Sequence, residues 1–124
     1  MQTVCLFGAS GTMGFSAFKE LWKRRNQFRI VILLRPSQKN INLIKPYAIQ
    51  AGLPHDGNVS VVQNQQFKII WGDATKLEDV REAVEGADWV LNAMAFISPM
   101  ADYYPDTARA VNIEAIANIL KAIE

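Results

Sequence analysis

Seven residues near the N-terminus, Gly8-Ala9-Ser10-Gly11-Thr12-Met13-Gly14, carry the clearest chemical signal in the chain, and that chemistry is anion binding. They follow an apolar run, Thr3 to Phe7 (TVCLF), and open a helix-like stretch that begins at Thr12. The first turn of a helix has N–H groups without intrahelical acceptors and the positive end of the peptide dipole, so a diphosphate fits there. Each glycine has a reason to be present. Gly8 allows the tight turn, Gly11 lets the backbone approach the phosphates, and Gly14 lets the helix pack against the strand. The expected phosphate site is therefore the backbone of Gly8, Ser10, Gly11, Thr12, Met13 and Gly14. The spacing is G-x-x-G-x-x-G and departs from the ordinary G-x-G-x-x-G dinucleotide fingerprint. Three glycines alone say little; their place between a strand and a helix gives them meaning. The competing reading is a glycine-rich turn that binds nothing.

A second position discriminates between dinucleotides. A carboxylate at the end of the second strand accepts from a ribose 2′-OH and repels a 2′-phosphate. Here that segment reads Leu33-Leu34-Arg35-Pro36-Ser37, with no acidic residue. Arg35 is placed for charge-assisted bonds to a phosphate. Ser37 and Lys39 could assist, and Ser10 leaves room. The expected cofactor is NADP, with NAD as the alternative; the plain reading of Arg35 is a solvated strand-end charge. His55 is the only histidine and lies in a polar loop, so neither a metal site nor a histidine-based triad has support. Cys5 is the only cysteine, which rules out an internal disulfide, and burial as a small hydrophobe outweighs reactivity in its apolar run. Trp71 and Trp89 read as core or helix-covering aromatics.

The elements that must position these residues alternate along the chain. After the first strand, Thr12 to Arg25 is helical, with Ala17, Phe18, Leu21 and Trp22 as its apolar stripe. Phe28 to Leu34 (FRIVILL) is a second strand, ended by Pro36. Gln38 to Ala51 is a helix with Ile41, Leu43, Ile44 and Ala48 inward and Pro46 lying inside it. Gly52 to Gln66 is a polar loop of unassigned role, with a short strand allowed at Val59 to Val62. Phe67 to Trp71 (FKIIW) is a third core strand. Thr75 caps a helix from Lys76 to Glu85 with Leu77, Val80 and Val84 as its apolar face, and Gly86 stops it. Asp88 to Ala93 is the fourth strand, and Asp106 to Glu124 is a long helix with Ala108, Val111, Ala115, Ile119 and Ile123 on one face. Alternation of this kind predicts right-handed crossovers and a three-layer α/β fold of Rossmann type. Its parallel sheet is expected in the order 3-2-1-4, flanked by helices, with the second half of the doubly wound sheet incomplete.

With those elements laid out, GASGTMG resembles the nucleotide-binding turn of the extended and atypical short-chain dehydrogenases/reductases, the group of NAD(P)-dependent epimerases, dehydratases and related reductases. The resemblance runs the length of the chain. Gly72-Asp73 followed by Asp79, Ala83, Gly86 and Asp88 is similar to the group's passage from strand three to strand four. Asp88 to Ala95 (DWVLNAMA) is similar to its fourth-strand signature, where a histidine usually stands at Asn92 and an alanine at Met94. Val111-Asn112 with Asn118 and Leu120 is similar to its fourth helix. The resemblance implies that Asp73 accepts from the adenine amino group, with the Ala74 backbone nearby. It implies that Ala93 to Ala95 line the nicotinamide ribose. Asn112 would support the proton relay, or else be an ordinary solvent-facing helix residue. Oxidoreductases of the group use a tyrosine with a lysine four residues later, which lowers the phenol pKa for proton exchange. No Y-x-x-x-K occurs here: Tyr47 is followed at that interval by Ala51, Tyr103 by Thr107 and Tyr104 by Ala108. No catalytic residue is assigned, and Ser98 is not one.

Size and composition bound the remaining choices. The 124 residues suffice for one nucleotide-binding domain and not two, and are expected to be an N-terminal portion of a longer protein. The net charge of +1 gives no field that would gather nucleic acid. No apolar run reaches the roughly 20 residues of a membrane span, no signal peptide is legible, and a cytoplasmic location is expected. Three functions remain open. One is the cofactor-binding portion of a reductase, epimerase or dehydratase. Another is a dinucleotide-sensing regulator without chemistry. The third is a stand-alone module, which would leave the fourth strand with a free edge and self-associate through that edge or the fourth helix.

Overall fold

The chain is described by a computed structural model over residues 1–94 and 115–123. In chain order the elements are β1 (Gln2–Phe7), α1 (Thr12–Lys23), β2 (Phe28–Leu34), α2 (Gln38–Ala51), β3 (Val61–Gln63), β4 (Phe67–Trp71), α3 (Leu77–Val84), β5 (Trp89–Asn92) and α4 (Ala115–Ile123). They form one five-stranded sheet in the order β3-β4-β2-β1-β5. The four core strands are parallel, with Cys5 opposite Val31, Leu33 opposite Ile70 and Phe7 opposite Asn92. This is the expected order with one addition at the edge. β3 pairs antiparallel with β4, so the sheet is mixed. Asn64 makes the hairpin: its side-chain oxygen accepts from the N–H of Gln66 and of Phe67, both at 2.9 Å. That local cap turns part of the polar loop into an edge strand, one residue beyond the stretch that the sequence allowed.

Strands buried on both faces read as nearly continuous apolar runs. On one face, Leu6, Ile30, Ile32, Leu34, Phe67, Ile69 and Trp71 meet Phe18 and Trp22 of α1 and Ile44 and Ala48 of α2. On the other, Cys5, Phe7, Val31, Leu33 and Ile70 meet Val80, Ala83 and Val84 of α3 and Ile119 of α4. Phe18 is the hub of an aromatic cluster, with ring centroids 4.9 Å from Tyr47 and 5.7 Å from Phe67. Lys68 points into the second face and is 5% exposed, but its ammonium reaches the Glu82 carboxylate at 3.0 Å and the Glu82 carbonyl at 3.1 Å. A buried charge is tolerable when paired in this way.

α2 has the expected bounds and carries Pro46 inside it. A proline inside a helix costs about 3 kcal/mol. Burial of Ile44 and Ala48, the Ser37 cap on the Asn40 N–H and the left-handed Gly52 at the C-terminus offset it. α1 ends at Lys23, two residues early. Thr75 is not the cap of α3; Lys76 is, without a side-chain bond. Thr75 instead turns back, donating its N–H (2.9 Å) and its hydroxyl (2.8 Å) to the Asp73 carboxylate. Trp89 is not core. It lies on the edge strand β5, 57% exposed, with its indole N–H on the Gln2 side-chain oxygen.

Candidate functional site

The residues singled out in the sequence converge on one edge of the sheet, because parallel strands place all their carboxyl ends together. β1 leads into Gly8, β2 into Arg35, β4 into Gly72-Asp73 and β5 into Ala93. In open α/β sheets, ligands bind in the crevice outside these ends.

The glycine turn is closed on the strand side and open on the helix side. Gly8 has φ +84°, a left-handed conformation that disfavours any side chain. A Cβ there would also lie 2.6 Å from the Ala93 carbonyl carbon. Ala93 is held at that spot by its own N–H, which donates to the Phe7 carbonyl at 2.9 Å. The contact at Gly14 is tighter: a Cβ would stand 1.7 Å from the Gly8 oxygen. Gly11 differs from both. Its φ is −80°, and a Cβ would meet only the Gly8 oxygen, at 3.6 Å. Among the described residues nothing requires a glycine there.

Gly11 is the N-cap of α1 and supplies no side-chain cap. The first helical bond runs from the Phe15 N–H to the Gly11 oxygen at 2.8 Å. The N–H groups of Thr12, Met13 and Gly14 precede it and lack intrahelical acceptors. The first turn contains no acidic residue to offset the helix dipole. Thr12 and Met13 are exposed and Ser10 is half-buried. Among the described residues the cradle therefore combines donors without partners, positive potential and open space, which is what a diphosphate requires.

Across the edge, the Arg35 guanidinium stands 4.0 Å from Asp73 Oδ2. Arg35 is largely exposed, so this is a loose surface pair worth little to stability. Burial pushes the Asp73 carboxyl up. The two bonds from Thr75 and the positive charges of Arg35 and Lys76 outweigh it and hold the group below the usual carboxylate range. Its Oδ1 is engaged by Thr75, while Oδ2 faces Arg35. Ser37 is less free than expected, since its oxygen accepts from the Asn40 N–H at 3.2 Å as the cap of α2. Lys39 is exposed on the first turn of α2.

The structure adds residues that sequence reasoning did not assign. Asp79 Oδ2 accepts from the Asp73 N–H at 2.9 Å, and a Cβ on Gly72 would sit 2.5 Å from that oxygen. Asn92 caps the turn after β5 by accepting from the Met94 N–H at 2.9 Å. The Asn118 amide donates to the Ala74 carbonyl at 3.1 Å. The Gly72-Asp73…Asp79 spacing was legible as a pattern, but not as a hydrogen bond. Ala95, Ser98, Tyr103, Tyr104 and Asn112 lie outside the described residues. A groove of about 660 Å³, lined by Leu77, Arg81, Val84, Val90 and Ala122 among others, lies between α3, β5 and α4, away from this edge. Among the described residues no cluster of three potential metal ligands occurs, and no helix is long and apolar enough to cross a membrane.

No family model matches the chain, and no curated protein matches it in sequence. Solved structures do match its fold. A protein described as Pen from Bacillus thuringiensis is 21% identical with a TM-score of 0.72, over 98% of this chain and 33% of that one. A short-chain dehydrogenase/reductase from Saccharomyces cerevisiae is 13% identical with a TM-score of 0.66, over 98% and 47%. A UDP-glucuronic acid 4-epimerase from Bacillus cereus, solved in complex with NAD, is 18% identical with a TM-score of 0.63, over 98% and 35%. The chain thus has the Rossmann-like α/β fold of short-chain dehydrogenases and sugar-nucleotide epimerases, over a stretch equal to between a third and a half of their length.

Proposed function

We propose that this chain is the dinucleotide-binding portion of an NAD(P)-dependent reductase, epimerase or dehydratase of the extended or atypical short-chain dehydrogenase/reductase group, with NADP preferred over NAD. The observation that carries this reading is the contrast among the three glycines. Gly8 and Gly14 are required by the protein's own backbone, whereas among the described residues Gly11 meets only the Gly8 oxygen at ordinary contact distance and stands beside N–H groups without a partner. A glycine that the fold does not need is explained by a ligand that does.

In this reading the backbone of Gly8, Ser10, Gly11, Thr12, Met13 and Gly14 holds the diphosphate. Asp73 accepts from the adenine amino group beside Ala74, and Ala93 and Ala95 border the nicotinamide ribose. Arg35 meets the 2′-phosphate. Its pairing with Asp73 is long and exposed, so a doubly charged phosphate competes for it readily. The bound cofactor supplies hydride transfer at its nicotinamide. The chain's own residues bind and orient; none of its tyrosines has the lysine partner that proton exchange in this group requires.

Calorimetric titration of NADP and NAD into the wild-type chain and Arg35→Ala tests the cofactor assignment. Loss of a charge-assisted phosphate bond is worth about 1.5–3 kcal/mol, so NADP affinity falls by about 10- to 150-fold while NAD affinity holds. Equal wild-type affinities for NAD and NADP, or unchanged NADP affinity in Arg35→Ala, would defeat the NADP preference. No binding of either would defeat the function.

A further inference from the structure

The loop from Gly72 to Thr75 carries the candidate adenine contact and is tied down at every residue. The Gly72 N–H donates to the Leu34 carbonyl on β2 at 2.9 Å. The Asp73 N–H donates to Asp79 on α3, and Thr75 donates twice to Asp73. The remaining tie comes from another element. Asn118 on α4, 44 residues away, donates its side-chain N–H to the Ala74 carbonyl at 3.1 Å. α4 is itself seated on α3, with Ile119 buried against Val80, Ala83 and Val84, and with Ala74 and Ala122 packed on the same cluster. A series of contacts therefore runs from α4 through Asn118, Ala74 and Asp73 to Arg35, the last of them the loose 4.0 Å pair.

We infer that Asn118 is a positioning residue for the adenosine site: by holding the Ala74 carbonyl it sets the neighbouring Asp73 carboxylate opposite Arg35, and so couples the seating of α4 to nucleotide affinity. The inference rests on the dinucleotide-binding function proposed above. Asn118 need not meet the ligand. An amide on a helix can fix a loop because the helix is rigid and its seat on α3 is apolar. Without that bond the Ala74 carbonyl turns to water, and the loop must be ordered again when nucleotide binds. Such coupling is reciprocal, so nucleotide binding also stabilises α4 on α3.

The test titrates NADP and adenosine 2′,5′-bisphosphate into the full chain as wild type, Asn118→Ala, Asn118→Asp, Asp73→Asn and the Asn118→Ala/Asp73→Asn double variant. Losing one hydrogen bond of ordinary strength weakens binding about fivefold. Asn118→Ala should therefore weaken both ligands equally, by about fivefold, because the adenosine half is common to them. Asn118→Asp should weaken them further, since it sets an acceptor against a carbonyl. In the Asp73→Asn background, Asn118→Ala should cost almost nothing more, because its effect passes through Asp73. The same fivefold loss in both backgrounds, or wild-type affinity in a folded Asn118→Ala, overturns the inference. A second measurement needs no variant: saturating adenosine 2′,5′-bisphosphate should raise amide-exchange protection across residues 118–123, and unchanged protection overturns the inference. If wild type binds neither ligand, the proposed function fails first, an outcome distinct from wild-type binding that Asn118→Ala leaves intact.

Discussion

Alanine at Gly11 and at Gly14 should separate binding from stability, although the two substitutions add the same methyl group three residues apart. At Gly14 the new Cβ starts 1.7 Å from the Gly8 oxygen and 2.5 Å from the Gly8 carbon, and real Cβ contacts essentially never fall below 3.0 Å. Both partners are backbone, so no side chain can swing away. Helix α1 must retreat from β1 by about 1.3 Å at this point. Phe18 and Trp22 of the same helix are packed into the first core face, and they resist that retreat. Overpacking of this kind costs about 1–3 kcal/mol, and the rigid contact places Gly14→Ala at the upper end. For a chain of this size about 3 kcal/mol lowers Tm by about 10 °C. At Gly11 the backbone is already ordinary for alanine, and the nearest atom among the described residues, beyond its chain neighbours, is 3.6 Å from the added Cβ. The gain from a less flexible unfolded chain, about 0.4–1 kcal/mol, is nearly offset by the poorer N-cap, so Tm should move by no more than about 2 °C. Yet the methyl would occupy the space assigned to the phosphates, so NADP affinity should fall at least about tenfold, or 1.4 kcal/mol. Thermal unfolding and calorimetric titration on the same samples read both quantities. Wild-type affinity in Gly11→Ala would show that no phosphate lies there. An unshifted Tm in Gly14→Ala would show that the helix does not close on β1 as described.

Two further outcomes follow from titrating groups. The Asp73 carboxyl is lowered in the folded chain, so its charge stabilises the fold above the ordinary value of 3.8, and that contribution is lost as pH falls below it. Thr75→Val removes the hydroxyl bond and should move the Asp73 titration upward in a carbon-detected NMR experiment; an unmoved titration would mean that Thr75 does not hold the carboxylate. The Cys5 thiol is pushed up by burial, against the lowering effect of Lys68, from 9.0 to about 12. Its protonated form contributes stability below pH 9 that drains away as pH rises toward 12. At pH 8 only roughly one thiol in ten thousand is ionised in the folded chain. Exchange with a small disulfide reagent should therefore run at the rate of global unfolding. Fast labelling of the native chain would refute the burial of Cys5.

Much of the site was written in short stretches of sequence, because the forces that make it are local. Thr3 to Phe7, then glycines, then an amphipathic run specify a strand, a turn and a helix start by backbone hydrogen bonding and apolar periodicity alone. The same logic placed Arg35 at a strand end and gave the order of the four parallel strands. Thr75 misled because sequence shows which side chains can cap a helix but not the residue at which the helix starts; Thr75 turns back to Asp73, and the helix begins at Leu77. Trp89 misled because hydrophobicity does not say whether a strand lies inside a sheet or at its edge. Only the tertiary structure could bring Ala93 against Gly8, Asp73 within 4.0 Å of Arg35, and Asn118 to the carbonyl of Ala74. These residues are far apart in the chain, and their meeting depends on strand order, register and helix seating, which are properties of the whole sheet and of no single segment.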